Sequence, residues 1–141
     1  MKTGELVRKY RKMRGMTQAR LAERCGLSDS AIRNYELGNR TPSEAHLEMI
    51  AEALEVAPEA LYEVRIDSAR QALEYLFRID EELGLTPVRD GEGSIVLAVN
   101  RGNPKAPKLS MALKTWMLQL DKLESGEMSQ AEYEAWKASH S

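Results

Sequence analysis

Cysteine is nearly missing from this chain: Cys25 stands alone among 141 residues. One thiol closes no internal disulfide and holds no metal by itself, so disulfide-stapled and cysteine–metal scaffolds are excluded, and a reducing, cytoplasmic setting is expected. Histidine is almost as scarce, with only His46 and His140, and neither has a Cys or acidic cluster at metal-ligand spacing. There is no HExxH and no phosphate-cradling glycine loop; Gly91-Glu92-Gly93 reads as a hairpin tip. No enzyme, metal or cofactor is therefore expected. Long apolar runs are lacking too. The longest, Ile95 to Val99, is far short of the roughly 20 residues that span a bilayer, so no membrane partner is expected. Met1-Lys2-Thr3-Gly4 leads into a charged segment, which argues against a signal peptide. No internal repeat or low-complexity stretch is visible.

What is present is an uneven distribution of charge. The net charge of −2 conceals a basic start: residues 1–40 carry ten Lys/Arg against four Asp/Glu. Residues 41–61 hold five Glu and no Lys or Arg, and the remainder is mildly acidic. A basic segment followed by an acidic remainder is the asymmetry expected when one face meets phosphate, although a solvated basic helix would look the same.

Punctuation divides the first sixty-odd residues into five short helices. Helix 1 opens near Thr3, carries Leu6, Tyr10 and Met13 at helical spacing, and stops at Gly15. Thr17 caps helix 2, which turns Leu21, Ala22 and Cys25 inward and ends at Gly26. Ser28 caps helix 3, with Ile32 and Tyr35 on its apolar face and Gly38 at its end. Thr41-Pro42-Ser43-Glu44 reads as a capping box with proline at the first helical position, opening a helix with Leu47, Ile50, Ala51 and Leu54 buried. Val56 to Leu61 reads as a short fifth helix.

A junction at 62–66 leads to different material. Ile66, Ala69, Leu73, Leu76, Phe77 and Leu83 predict a helix at about 67–83. Leu85–Val88 and Ile95–Val99 flank Asp90-Gly91 and predict a loose hairpin. Residues 101–108, with Gly102, Pro104 and Pro107, read as a loop. Leu109, Ala112, Leu113, Trp116, Met117, Leu120 and Leu123 mark one face of a helix at about 110–124. A last helix starts at Ser129, where Ser129 and Glu132 form a capping box and Met128 and Tyr133 a hydrophobic staple. The expected fold class is mainly α: a five-helix domain over 1–65, then a small α+β domain over 66–141 built of a helix, a β-hairpin and two helices.

Two helices joined by a short glycine-containing turn, here Cys25-Gly26-Leu27, form a helix-turn-helix. Its second helix must be short, capped and polar outside so that its N-terminal end can enter the major groove. Ser28, Asp29, Ser30, Arg33 and Asn34 supply that outer face. The string TQARLAERCGLSDSAIRNYELGNRTPSEAHLEMIAEALEV, residues 17–56, resembles the Cro/C1-type (lambdoid repressor-like, XRE) helix-turn-helix family. The T-Q start, the L-A pair, G-L-S at the turn, I-x-x-Y-E-x-G-x-R-x-P and the final A-x-A-L-x-V carry the likeness, which covers about residues 3–61.

That resemblance implies a sequence-specific DNA-binding regulator of palindromic operators, with repression as the expected sign. It implies base reading by Asp29, Ser30, Arg33 and Asn34, and backbone contacts from Gln18, Ser28, Asn39, Arg40 and Thr41. A homodimer is expected on separate grounds. The first module has a small core, and residues 67–141 offer Leu109, Leu113, Trp116, Met117, Leu120 and Leu123 on one helix face, with Trp136, as an interface. The alternative is a closed monomeric domain in which that face packs against the helix at 67–83 and the hairpin. The resemblance's site assignments can be weighed residue by residue. Chemistry permits this: Arg suits guanine, Asn suits adenine, and Asp accepts from cytosine. Asp29, whose charge is awkward near the groove, would otherwise orient Arg33 or stabilise the helix N-terminus. The family also pairs a basic residue of helix 1 with an acidic residue just after helix 3, here Arg11 and Glu36, as a structural ion pair. The bland alternative is two surface charges.

Other possibilities are weaker. Cys25 reads as a small core hydrophobe before a redox sensor. The seventy-odd residues after the junction read as too few for the self-cleaving protease domain that some members of the resembled family carry. Trp116, Met117 and Trp136 could line a pocket for a small-molecule effector, but apolar stripes at helical spacing are usually core or interface. The rival function is an antitoxin or adaptor, in which the C-terminal domain binds a protein partner and DNA binding serves autoregulation.

Overall fold

The computed structural model describes residues 1–139; His140 lies outside the described residues. The chain forms two compact units. The first comprises Met1–Arg65 together with the last helix, and the second is Ile66–Ser129.

The first unit contains α1 (Thr3–Met13), α2 (Gln18–Cys25), α3 (Asp29–Leu37), α4 (Glu44–Leu54), a single 3-10 turn at Pro58–Leu61 and the last helix, α7 (Gln130–Ser139). Local chemistry sets the boundaries. Thr17 Oγ1 accepts from the Arg20 N–H and Ser28 Oγ from the Ala31 N–H, each satisfying an otherwise orphaned donor. The cap of α4 falls two residues later than the sequence suggests, at Ser43 and not Thr41. Ser43 Oγ accepts from the His46 N–H, so Pro42 precedes the helix and does not open it. At the other end of α4, Glu55 takes a left-handed conformation, and Arg14 reaches across to donate to the Leu54 and Glu55 carbonyls. The largest fully buried side chains are Val7, Leu21, Ile32, Ile50, Leu54 and Leu61, one or two from nearly every element. The expected fifth helix is reduced to the 3-10 turn, with Leu61 as its anchor.

Helix α7 was expected to continue the second domain, and it joins the first unit instead. Ala138 lies in the same core, the Ala57 N–H donates to the Ala138 carbonyl at 2.8 Å, and Lys9 meets Glu134 at 3.6 Å. An alanine at that position lets the helix backbone come close enough for the bond.

The second unit holds α5 (Ala69–Leu83), a hairpin of β1 (Leu85–Arg89) and β2 (Ile95–Val99), and α6 (Ala106–Ser125). Ser68 caps α5 by accepting from the Gln71 N–H. The hairpin loop closes on Asp90, whose carboxylate accepts from the Glu92 and Ser94 N–H groups. Helix α6 starts at Ala106, inside the stretch read as a loop, because Pro107 fits the first helical turn, where its missing N–H has no role. Among the described residues of the second unit only Gly84 and Ala106 are buried. No helix among the described residues is long and apolar enough to cross a membrane.

Candidate nucleic-acid interface

The helix-turn-helix is α2, a tight turn and α3. Gly26 makes the turn in the left-handed region, at φ +71°, while the Leu27 N–H closes back onto the Ala22 carbonyl at 2.9 Å. A side chain would strain this conformation. Leu21, Ala22 and Cys25 from α2 and Ile32 and Tyr35 from α3 bury the inner faces. Helical periodicity then forces Ser28, Asp29, Ser30 and Arg33 outward, and all four are exposed.

Asn34 is half-buried and engaged. Its amide donates to Ser30 Oγ at 3.4 Å, its Oδ1 accepts from the Asn39 amide at 3.3 Å, and its carbonyl accepts from the Asn39 and Arg40 N–H groups. The loop carrying Asn39, Arg40 and Thr41 is thereby tied to the end of α3, with these three side chains at the surface. The Arg40 guanidinium stands 6.0 Å from the Tyr35 ring, and Tyr35 Oη is hydrogen-bonded to His46 Nδ1 at 2.7 Å. Asp29 occupies the first turn of α3, where a negative charge suits the helix dipole, and makes no ion pair with Arg33 among the described residues.

Beneath this surface lies a charged joint. Arg11 Nε and Nη2 donate to the two carboxylate oxygens of Glu36, the second at 3.0 Å, and Nη1 donates to the Met16 carbonyl at 2.7 Å. Gln18 adds a bond from its amide to Glu36 Oε2 at 2.9 Å. Glu36 sits in the last turn of α3, not after it. Burial alone would raise the Glu36 carboxyl. The hydrogen bonds from Arg11 and Gln18, with the charges of Arg11 and Arg8, outweigh it and hold the group below the ordinary glutamate value. Glu36 thus receives α1 through Arg11 and the start of α2 through Gln18, while Arg11 also holds the loop between them, which fixes the lean of α3.

Two contributors were not among the sequence candidates. Gly4 is buried because a Cβ there would collide with the Tyr35 carbonyl oxygen, so α1 crosses α3 at backbone contact. A glycine in the first turn of an otherwise good helix was the available signal. His46, read as a bystander, is the hydrogen-bond partner that holds the Tyr35 ring. Cys25 is buried, and burial pushes its thiol pKa up despite opposing backbone hydrogen bonds, as suits a core side chain. Trp136 stacks on Tyr133 with centroids 6.1 Å apart. Among the described residues no group of three or more His, Cys, Asp or Glu could hold a metal ion.

A helix-turn-helix family model matches residues 7–61. An uncharacterized HTH-type transcriptional regulator, YazB, of Bacillus subtilis (strain 168) is 36% identical over 58 residues, which is 41% of this chain and 84% of the relative. A solved chain from a SinR protein/SinI protein complex is similar at 21% identity and a TM-score of 0.45, covering 82% of this chain and 97% of that one. The chain belongs to the Cro/C1-type helix-turn-helix family of DNA-binding transcriptional regulators.

Proposed function

We propose that the chain is a sequence-specific repressor that binds palindromic operator DNA as a homodimer. The observation that carries this reading is the exposed polar row at the start of α3, namely Asp29, Ser30 and Arg33 with Asn34 beside them, on a helix locked from behind by Arg11, Gln18 and Glu36. On this reading Asp29, Ser30, Arg33 and Asn34 meet base edges, while Gln18, Ser28, Asn39, Arg40 and Thr41 meet the phosphate backbone. Half-sites lie about one helical turn, near 10 base pairs, apart. The basic balance of residues 1–40 supports phosphate contact. The test is selection from a random DNA pool at two salt concentrations. An enriched palindrome whose affinity falls with salt supports the reading; no enrichment with salt-insensitive affinity ends it.

A second reading is favoured by the outer surface of α6, where Met111, Met117 and Leu118 are 71%, 53% and 60% exposed. Flexible, Met-rich surfaces accommodate partners. There the second unit takes a protein or small-molecule effector, as in an antitoxin or adaptor. A stoichiometric hetero-complex that alters operator affinity would favour it.

A further inference from the structure

We propose that β2 is the seam of the homodimer: its free edge pairs antiparallel with the same edge of a second copy, about a two-fold axis at Leu97. The result is a four-stranded sheet with the two β2 strands at its centre. This rests on the homodimer reading above and specifies where the copies meet.

The two strands of the hairpin are chemically unlike. β1 reads Leu-Thr-Pro-Val-Arg and β2 reads Ile-Val-Leu-Ala-Val. A wholly apolar strand is ordinarily covered on both faces and sits inside a sheet. Here Ile95 is 72% exposed, Val96 41% and Leu97 48%.

The hydrogen-bond pattern shows which groups lack partners. The register pairs Leu85 with Val99, Pro87 with Leu97 and Arg89 with Ile95. The Asn100 N–H donates to the Gly84 carbonyl and the Asp90 N–H to the Ser94 carbonyl at the two ends of the ladder. Antiparallel ladders alternate bonded and non-bonded pairs, so Thr86 with Ala98 and Val88 with Val96 are the bonded pairs. The backbone groups of Leu85, Pro87 and Arg89 therefore point away from the hairpin on one side, and those of Ile95, Leu97 and Val99 on the other. Among the described residues the sheet has two strands only, so neither outer edge is paired with a further strand.

Only one edge can accept a strand. Pro87 has no N–H and Arg89 adds a charge, both of which blunt an edge against pairing. The β2 edge keeps all three N–H donors and carries no proline and no charged side chain. Growth can thus occur in one direction and ends after one further copy, which gives a closed dimer and no fibre. The edge is also its own complement. Antiparallel pairing about Leu97 sets that residue against itself and Ile95 against Val99 of the second copy, apolar pairs throughout. A second copy also meets a need that a transient peptide would not. The second unit buries only Gly84 and Ala106 among its described residues, too little for a body of its size to hold by itself.

The experiment uses the full chain with Leu97→Pro, which removes an outward N–H without touching the hairpin's own bonds. Arg89→Pro removes an outward N–H from the other edge and serves as the control. By sedimentation equilibrium, wild type and Arg89→Pro should be dimers, and Leu97→Pro should dissociate about 100-fold more readily. A Leu97→Pro protein as tightly dimeric as wild type overturns the seam and leaves the homodimer reading standing; a monomeric wild type overturns the homodimer itself. Leu97→Cys gives a second readout. The register puts the two Cα atoms about 5.5 Å apart, within disulfide reach, while Cys25 is buried. Oxidation should give a covalent dimer with Leu97→Cys and not with Arg89→Cys; no cross-linked dimer would overturn the proposal.

Discussion

At the scale of single residues, Glu36 carries the most consequence, because its side chain is 3% exposed and that of Arg11 10%. Removing one partner strands a desolvated charge, whereas an exposed pair would contribute little. Glu36→Ala should cost roughly 3 kcal/mol of stability, against under about 0.5 kcal/mol for Glu63→Ala on the surface. Equal thermal midpoints would show that the pair is superficial. The same residue sets an acid limit. Its folded-state pKa is depressed, so its contribution is complete above the unfolded value of about 4.3 and is lost as pH falls through the lower folded value. Glu36→Gln should therefore show a flatter loss of melting temperature in that acid window than wild type. Contacts to DNA differ in kind from this. Arg33→Ala and Asn34→Ala should each relax sequence preference, costing about 1–3 kcal/mol at the proper base. Arg40→Ala should weaken all sequences alike and reduce the salt slope by about one. Titrations against operator and scrambled DNA separate the two; the reverse assignment would mean that α3 lies differently in the groove. Asn34 also bonds Asn39 and Ser30, so its variant should loosen the following loop as well.

At the scale of elements, the crossing of α1 over α3 decides how the reading surface is presented. Gly4 leaves no room for a methyl group, and the obstacle is backbone, which cannot rotate aside. Gly4→Ala is a better helix former in isolation, yet it should destabilise the first unit by about 1–3 kcal/mol through overpacking. An increase in melting temperature would show that α1 shifts freely. This contact also marks where sequence reasoning stops. The caps at Thr17 and Ser28 and the stops at Gly26 and Gly38 were legible because each acts within one helical turn. The polar face of α3 was legible for the same reason: its inward positions, Ile32 and Tyr35, leave the remainder outside. Choosing between Thr41 and Ser43 as a cap required the actual donor, the His46 N–H, and Pro107 was ambiguous because proline suits both a loop and a first turn. The Gly4–Tyr35 approach and the Tyr35–His46 bond join residues that no local pattern connects.

At the scale of the whole molecule, the chain leaves the first unit after Arg65 and re-enters it at Gln130, so the second unit is an insertion bounded on both sides. Sequence periodicity marks α7 as a helix but is silent on which core it completes, since a short amphipathic segment fits either. The energetics of the return are modest and specific. Ala138 is 1% exposed, its carbonyl satisfies the Ala57 N–H, and the Lys9–Glu134 pair is partly exposed and so adds little. Ending the chain at Ser129 removes that cover and leaves the Ala57 N–H without its partner. The loss should be about 1–3 kcal/mol, the range for a lost buried hydrogen bond with some apolar packing, and the first unit should melt several degrees lower. Ala138→Glu tests the same docking without shortening the chain, because a carboxylate at that position must either be buried unpaired or push the helix away. Scanning calorimetry on both variants measures the effect. A lowered midpoint in both, with unchanged helix content up to Leu61 by hydrogen exchange, is the expected outcome. An unaltered midpoint in both would show that α7 rests on the first unit without supporting it, and that the fold of residues 1–65 stands unaided.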